Sequence, residues 1–389
     1  MYWALGSGGC GRGIFGLSSK DTHLVWFHVI ALSRMLKSTH KYRFELVDSD
    51  HEQWDPYVQR HPSGSIFHTR AMVRTFASVG SVYPRAMAAV DETGSIVALL
   101  VSCHVKTLRD FSSLSSRAVQ FAEPLCDATP VGVAALQKLL TQHDEQMRGQ
   151  ALLCEVRSIC APGRERDALL LCGYEHRDYI NYIVELDASA DELFSRVNKN
   201  MRQKIRGTLR KGVELRDDNC VTGVGRLYQL LQSSYGRARV PLLGRELFEA
   251  ALEHLPPGCV RIRTAFDGNK PIASIVSLLY GGRVFSWYGG TLRLPALSPF
   301  ACLVWDDIRW GLENGFSIYD FGGAGWPHED YGPRKFKASF GSQEVRYGRY
   351  LLTYSKLRLR LASFAYGVSR RLGAWSCSSN QEANHSATD

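Results

Sequence analysis

RIRTAFDGNKPIASIVSLLYGGRVFSWY, residues 261–288, decides the fold. Runs rich in β-branched and aromatic residues are separated by turns at Asp267-Gly268 and Gly281-Gly282, the pattern of an antiparallel meander. RAMAAVDETGSIVALLVSCHVK, residues 85–106, carries the same design, with a tight turn at Asp91 to Gly94. The next elements of the chain match too. Val131 to Met147 has helical apolar spacing and leads into ALLCEV at 151–156. Ser298 and Pro299 open a helix to Asn314 that leads into FSIYDF at 316–321. Meander, helix, strand occurs twice at an offset of roughly 165 to 175 residues, which predicts an α+β protein of two duplicated domains with largely antiparallel sheets.

The length agrees. A chain of 389 residues exceeds what one hydrophobic core usually serves. The expected division is an N-terminal extension over 1–41, a first domain over 42–190, a second over 191–350 that holds the active site, and a basic C-terminal segment over 351–389 ending in a polar tail. The glycine-rich start lacks the layout of a signal peptide, and Met35 is an alternative start. With 45% hydrophobic and 22% charged residues and no apolar run near 20 residues, the chain reads as a cytoplasmic globular protein without a membrane span. Ten cysteines without CxxC pairs or zinc-finger spacing argue for reduced thiols and no metal.

The net charge of +9 is concentrated. Residues 199–216 sum to +6 and residues 334–371 to +9, so the remainder is mildly acidic. Two basic surfaces imply a polyanionic partner: RNA, a nucleotide diphosphate or the anionic inner face of a membrane. Between the halves, Ser189 and Glu192 form a capping box. Leu193, Val197, Met201, Ile205 and Leu209 recur every four residues up to Gly212, predicting one continuous helix. Lys199, Arg202, Arg206 and Arg210 fall within an arc of about 80° on it, a phosphate-binding face or a solvated one.

Several chemistries lack their motifs. There is no GxxxxGK[ST], HExxH or GxSxG. Gln146, Gly149 and Ala151 spell the coenzyme A cradle [QR]xxGx[GA], yet they follow a helix and precede a strand, the wrong context for a phosphate at a helix N-terminus. The link 288–299 lacks the pattern too. Transfer chemistry that needs neither metal nor protein nucleophile remains.

NKNMRQKIRGTLRKGVEL (198–215), GNKPIASIVSLLYGGRVFSWYGG (268–290) and above all YDFGGAGWPHEDYGPRKFKASFG (319–341) resemble the FemABX-like peptidoglycan-bridge aminoacyltransferases and their acetyltransferase-like (GNAT-fold) relatives, over about residues 45–350. The resemblance implies transfer of an aminoacyl or acyl group, from aminoacyl-tRNA or acyl-coenzyme A, to an amine of a cell-wall or cell-surface precursor, with no tightly bound cofactor. It implies that Lys337 stabilises developing negative charge beside Phe336, that Arg202, Lys204 and Arg206 hold phosphates, and that Trp287 and Tyr288 line the substrate groove. Asp320 would orient the acceptor amine or accept its proton, or else cap a turn. The coiled-coil helical arm that some cell-wall members insert for tRNA handling is missing from the sequence. Coenzyme A dependent N-acylation of a polysaccharide or small amine, and non-catalytic RNA or membrane binding, are the rival readings.

Overall fold

The structure, a computed structural model, describes residues 43–106, 116–238 and 240–362. The first part of the chain forms β1 (Glu45–Val47), α1 (Trp54–Arg60), a 3-10 turn at Ile66–His68, α2 (Arg70–Ala77), β2 (Val82–Val90), β3 (Ile96–Val105), β4 (Arg117–Gln120), β5 (Leu125–Cys126), α3 (Pro130–Met147), β6 (Leu153–Arg157), α4 (Glu165–Leu171), β7 (Glu175–Arg177) and β8 (Asn181–Glu185). The second forms α5 (Ala190–Arg196), α6 (Lys199–Arg210), β9 (Glu214–Asp217), α7 (Val221–Ala238), α8 (Glu246–His254), β10 (Val260–Asp267), β11 (Lys270–Tyr280), β12 (Arg283–Thr291), α9 (Pro299–Glu313), β13 (Ile318–Gly323), α10 (Gly332–Ala338), β14 (Gln343–Val345) and β15 (Arg349–Thr353).

Among the described residues the strands make two sheets of matching order. One runs β1-β2-β3-β4-β6-β15-β7, with β5 also pairing β3, and the other runs β9-β10-β11-β12-β13-β8-β14. In each, three antiparallel strands lead through a helix, α3 or α9, to a strand parallel to the third: β6 beside β4, and β13 beside β12. The expected duplication is the architecture of the molecule, a tandem α+β fold. The equivalence extends to strands that local sequence cannot place. β8, from before residue 190, pairs with β13 and β14, while β15, from the C-terminal side, pairs with β6 and β7. Each sheet is completed by a strand from the other half of the chain, so a division at 190/191 follows the sequence rather than the sheets.

Local chemistry accounts for the elements that position the site. Thr129 accepts from the Gly132 N–H and Pro130 starts α3; Pro299 starts α9 in the same way. Every residue of β3 is buried, as expected of a strand covered on both faces. One hydrophobic cluster joins the halves, with Phe67, Met72, Phe76 and Phe121 packed among Leu227, Leu231, Phe248, Ile262 and Trp287. Phe67 meets Phe285 edge-on at 5.3 Å between centroids.

The helix expected from Ser189 to Gly212 is two helices. The capping box is present, with the Ser189 N–H donating to Glu192 Oε2 at 2.9 Å, but Val197 and Asn198 leave helical geometry and Asn198 caps α6 through the Asn200 N–H. The apolar period survives the break because Leu193, Val197 and Ile205 still reach one core, whereas Leu209 is 42% exposed. The N-terminal extension 1–41, Met35 as a start and the polar tail lie outside the described residues. Among the described residues no helix is long and apolar enough to cross a membrane. The described cysteines are free thiols; Cys103, Cys126, Cys154 and Cys302 are buried as expected, but Cys220 is exposed.

Candidate active site

The parallel pair β12/β13 is joined in register only at Arg283–Ile318, Val284–Tyr319 and Phe285–Asp320. Beyond those residues the strands part, and a cavity of about 380 Å³ opens between Phe285–Gly289 of β12 and Phe321–Gly323 of β13. The β11/β12 register shifts between Val276 and Ser277, which makes Trp287 the extra residue of a bulge beside the opening. The other walls come from Ser234 and Tyr235 of α7, Phe300 and Val304 of α9, Phe336 and Lys337 of α10, and, from the first sheet, Arg157 and Arg349.

Gly290 lets α7 approach. A Cβ there would lie 2.4 Å from the Leu230 carbonyl carbon and 2.6 Å from the Leu231 nitrogen, both backbone atoms of α7. Gly290→Ala is therefore expected to force α7 off β12 and to destabilise the protein by about 1–3 kcal/mol. Denaturant melts of parent and variant check this; an unchanged midpoint would mean that α7 is free to move.

Lys337, on α10, places its ammonium at the C-terminal end of β13. Its Nζ donates to the Phe321 and Gly323 carbonyls, each at 2.7 Å, with the Gly322 carbonyl at 3.4 Å. The ammonium is thus fixed by backbone oxygens at the cavity wall. Burial pushes its pKa down from 10.5 to about 8, with the Asp320 carboxylate opposing the shift. Trp287, Tyr288, Phe336 and Lys337 share this one cavity. Lys204 lines an adjoining groove with Met201, Arg293, Leu294 and Phe336, and a third depression holds Arg237 and Arg293. The three meet at Phe300.

Other expected site residues lie elsewhere. Asp320 is fully buried and outside the cavity lining; it accepts from Arg283 Nη1 at 2.6 Å and from the Gly322 N–H at 2.7 Å. Arg202 donates from Nη1 to the Ser195 carbonyl at 2.6 Å and to the Val197 carbonyl, closing the end of α5. Arg206 lies over the Phe194 ring at 5.0 Å. Neither lines the cavity or the grooves. Arg157, Arg349, Tyr179 and Asn181 do line the cavity and belong to no motif read from sequence, although Arg349 falls in the basic run 334–371.

Away from the cavity, His143, Asp144 and Cys154 bring potential ligand atoms within 4.8 Å of one another, a grouping absent from sequence spacing. Asp144 Oδ1 already meets His143 Nδ1 at 3.0 Å and the hydroxyls of Tyr174 and Tyr354 at 2.8 and 2.6 Å, so this carboxylate oxygen is committed to a buried polar network.

Residues 195–336 match the sequence profile of the acetyltransferase (GNAT) domain. No curated protein sequence matches the chain. Among solved structures, FemX superposes with a TM-score of 0.61 at 15% identity, covering 79% of this chain and 97% of FemX. L-PGS from Bacillus licheniformis gives 0.53 at 14%, covering 84% and 98%. The C-terminal domain of a candidate lysylphosphatidylglycerol synthetase from Agrobacterium fabrum gives 0.54 at 16%, covering 82% and 96%. The matched profile holds both splayed strands, α9 and Phe336, and the superpositions extend over both sheets; residues 195–336 are similar to the acetyltransferase (GNAT) domain, within a tandem GNAT-like fold shared with FemX.

Proposed function

We propose that the protein forms an amide bond by moving an acyl or aminoacyl group from a phosphate-bearing carrier to an amine, in the cavity between β12 and β13. The observation that carries this reading is Lys337, an ammonium locked by two carbonyls at the wall of a cavity set between splayed parallel strands. Its two short hydrogen bonds leave one N–H served by nothing closer than the Gly322 carbonyl at 3.4 Å. When an amine attacks the donor carbonyl, a C–N bond forms and the carbonyl oxygen becomes an oxyanion that this N–H can meet. Collapse breaks the C–S or C–O bond to the carrier, and the proton lost by nitrogen ends on the departing thiolate or alkoxide. A preorganised donor of this kind contributes roughly 10² to 10³ in rate. Asn181, whose buried Oδ1 has no partner, offers an acceptor for the amine.

The carrier is coenzyme A or the acceptor end of tRNA, which share phosphates on an extended tail. The grooves beyond Phe300 suit such a tail, with exposed Lys204, Arg237 and Arg293 beside Leu292, Leu294 and Leu297. Charge reversal at Lys204 and Arg293 is expected to raise the donor KM at least about tenfold and to reduce the logarithmic salt slope by about one per lost contact. Unchanged slopes would mean a solvated face. For the acceptor we take an amine of a cell-wall or cell-surface precursor, the class implied by the family resemblance of residues 319–341. The test is mass spectrometry of purified protein incubated with acyl-coenzyme A or charged tRNA, with and without ribonuclease, and an amine panel that includes cell-wall precursors. Ribonuclease-sensitive transfer identifies tRNA; folded protein that transfers from neither donor class to any amine refutes the proposal.

A further inference from the structure

The wall contributed by the first sheet is charged in one sense. Arg157 ends β6 and Arg349 begins β15, and the ladder places them directly opposite one another. Like charges at opposed strand positions repel unless something lies between them. Glu155, on the same face of β6 as Arg157, accepts from Arg157 Nη2 at 2.9 Å and from Arg349, with Arg117 Nη1 at 3.9 Å. Burial alone would raise the Glu155 pKa, but Arg157, Arg349 and Arg117 together hold it well below the usual carboxylate range. One ionised carboxylate therefore serves both Arg157 and Arg349, and neither Asp nor Glu lines the cavity.

These groups are not solvated. The side chains of Arg157 and Arg349 are 9% and 11% exposed. Arg157 Nε is buried without a hydrogen-bond partner, and Arg349 Cζ lies 3.5 Å from the centre of the Tyr179 ring. Excess positive charge in a dry wall is costly unless an anion completes it. A guanidinium fork matches the two oxygens of a carboxylate or phosphate.

We infer that Arg157 and Arg349 seat an anionic group, a carboxylate or a phosphate, carried by the acceptor molecule. The anion belongs to the acceptor because both donor grooves are lined entirely by residues beyond 200, whereas this pair stands on the first sheet. The inference rests on the acyl-transfer reading for the word acceptor; the anion seat itself does not, and its test needs no turnover.

The test is calorimetric titration of the full chain with inorganic phosphate and with acetate at constant ionic strength, chloride balancing the difference. Parent protein is expected to bind at least one of them saturably at one site, and the tighter anion names the group. Arg157→Met and Arg349→Met should each weaken that binding by about tenfold or more, Arg157→Lys by less, and the exposed-surface control Arg164→Met not at all. Each methionine variant leaves Glu155 with two arginines, and thermal melts verify folding; if one variant unfolds, the other and Arg157→Lys decide. No saturable binding by the parent, or equal binding by parent and folded Arg157 and Arg349 variants, overturns the seat. Anion binding without transfer to any amine would leave the seat standing and remove the acyl-transfer reading instead.

Discussion

Lys337→Met is expected to lower kcat about a hundredfold or more, equivalent to about 2.7 kcal/mol of barrier, while substrate KM values change little. An oxyanion donor acts on the transition state and not on bound substrate, so kcat and kcat/KM should fall together. The variant also leaves the Phe321 and Gly323 carbonyls without their donor, which costs about 1–3 kcal/mol of stability and must be measured beside activity. Lys337→Arg should recover little, since a planar guanidinium cannot occupy the position of an ammonium held between two carbonyls. The pH profile supplies a separate check. With the ammonium pKa at about 8, kcat should decline as pH rises through 8. Stability should not follow: between about 8 and 10.5 the unfolded chain binds the proton that folded Lys337 has released, so this group makes the fold more stable as pH rises through that window. Single-turnover transfer by folded Lys337→Met at near-parental rate would remove the lysine from the chemistry.

Local signals carry much of the architecture. The turns at Asp91–Gly94, Asp267-Gly268 and Gly281-Gly282, and the Ser298-Pro299 start, have immediate physical causes in backbone freedom and capping, and the elements they bound are those observed. The destinations of β8 and β15 have no such cause. NYIVE and RYLLT form strands, yet which sheet each completes depends on partners far away in sequence. The same separation hides Arg157 and Arg349, which become a site only when β6 and β15 pair. The basic face of α6 misleads for a different reason. Periodicity shows that Arg202 and Arg206 share a side of a helix, but not that the first closes the end of α5 and the second lies on Phe194. Lys337, Trp287, Tyr288 and Phe336 are singled out in the sequence only through the family resemblance, and it is the parting of β12 and β13 that brings them to one cavity.

Asp320→Ala is expected to produce the largest loss of stability, about 3–5 kcal/mol, and to do so without marking Asp320 as a participant in the chemistry. The carboxylate has no exposure and is spent on two partners, Arg283 Nη1 at 2.6 Å and the Gly322 N–H at 2.7 Å. Burial raises its pKa, while Arg283 opposes the shift. Truncation leaves the Arg283 side chain, 18% exposed, without its counter-charge, and strips the Gly322 N–H at the turn that Lys337 grips from the other side. Replacing both partners should be milder: Asp320→Leu combined with Arg283→Met removes the charges together and is expected to recover part of the loss, a coupling that a double-mutant cycle on denaturant midpoints measures directly. Asp320→Asn separates structure from chemistry. It preserves the shape and one acceptor, so folded Asp320→Asn should keep kcat within about tenfold of the parent, far above Lys337→Met. Were Asp320→Asn to lose activity as completely as Lys337→Met while melting like the parent, its carboxylate would have to reach the reacting amine, and the cavity would have to open toward Asp320 during turnover.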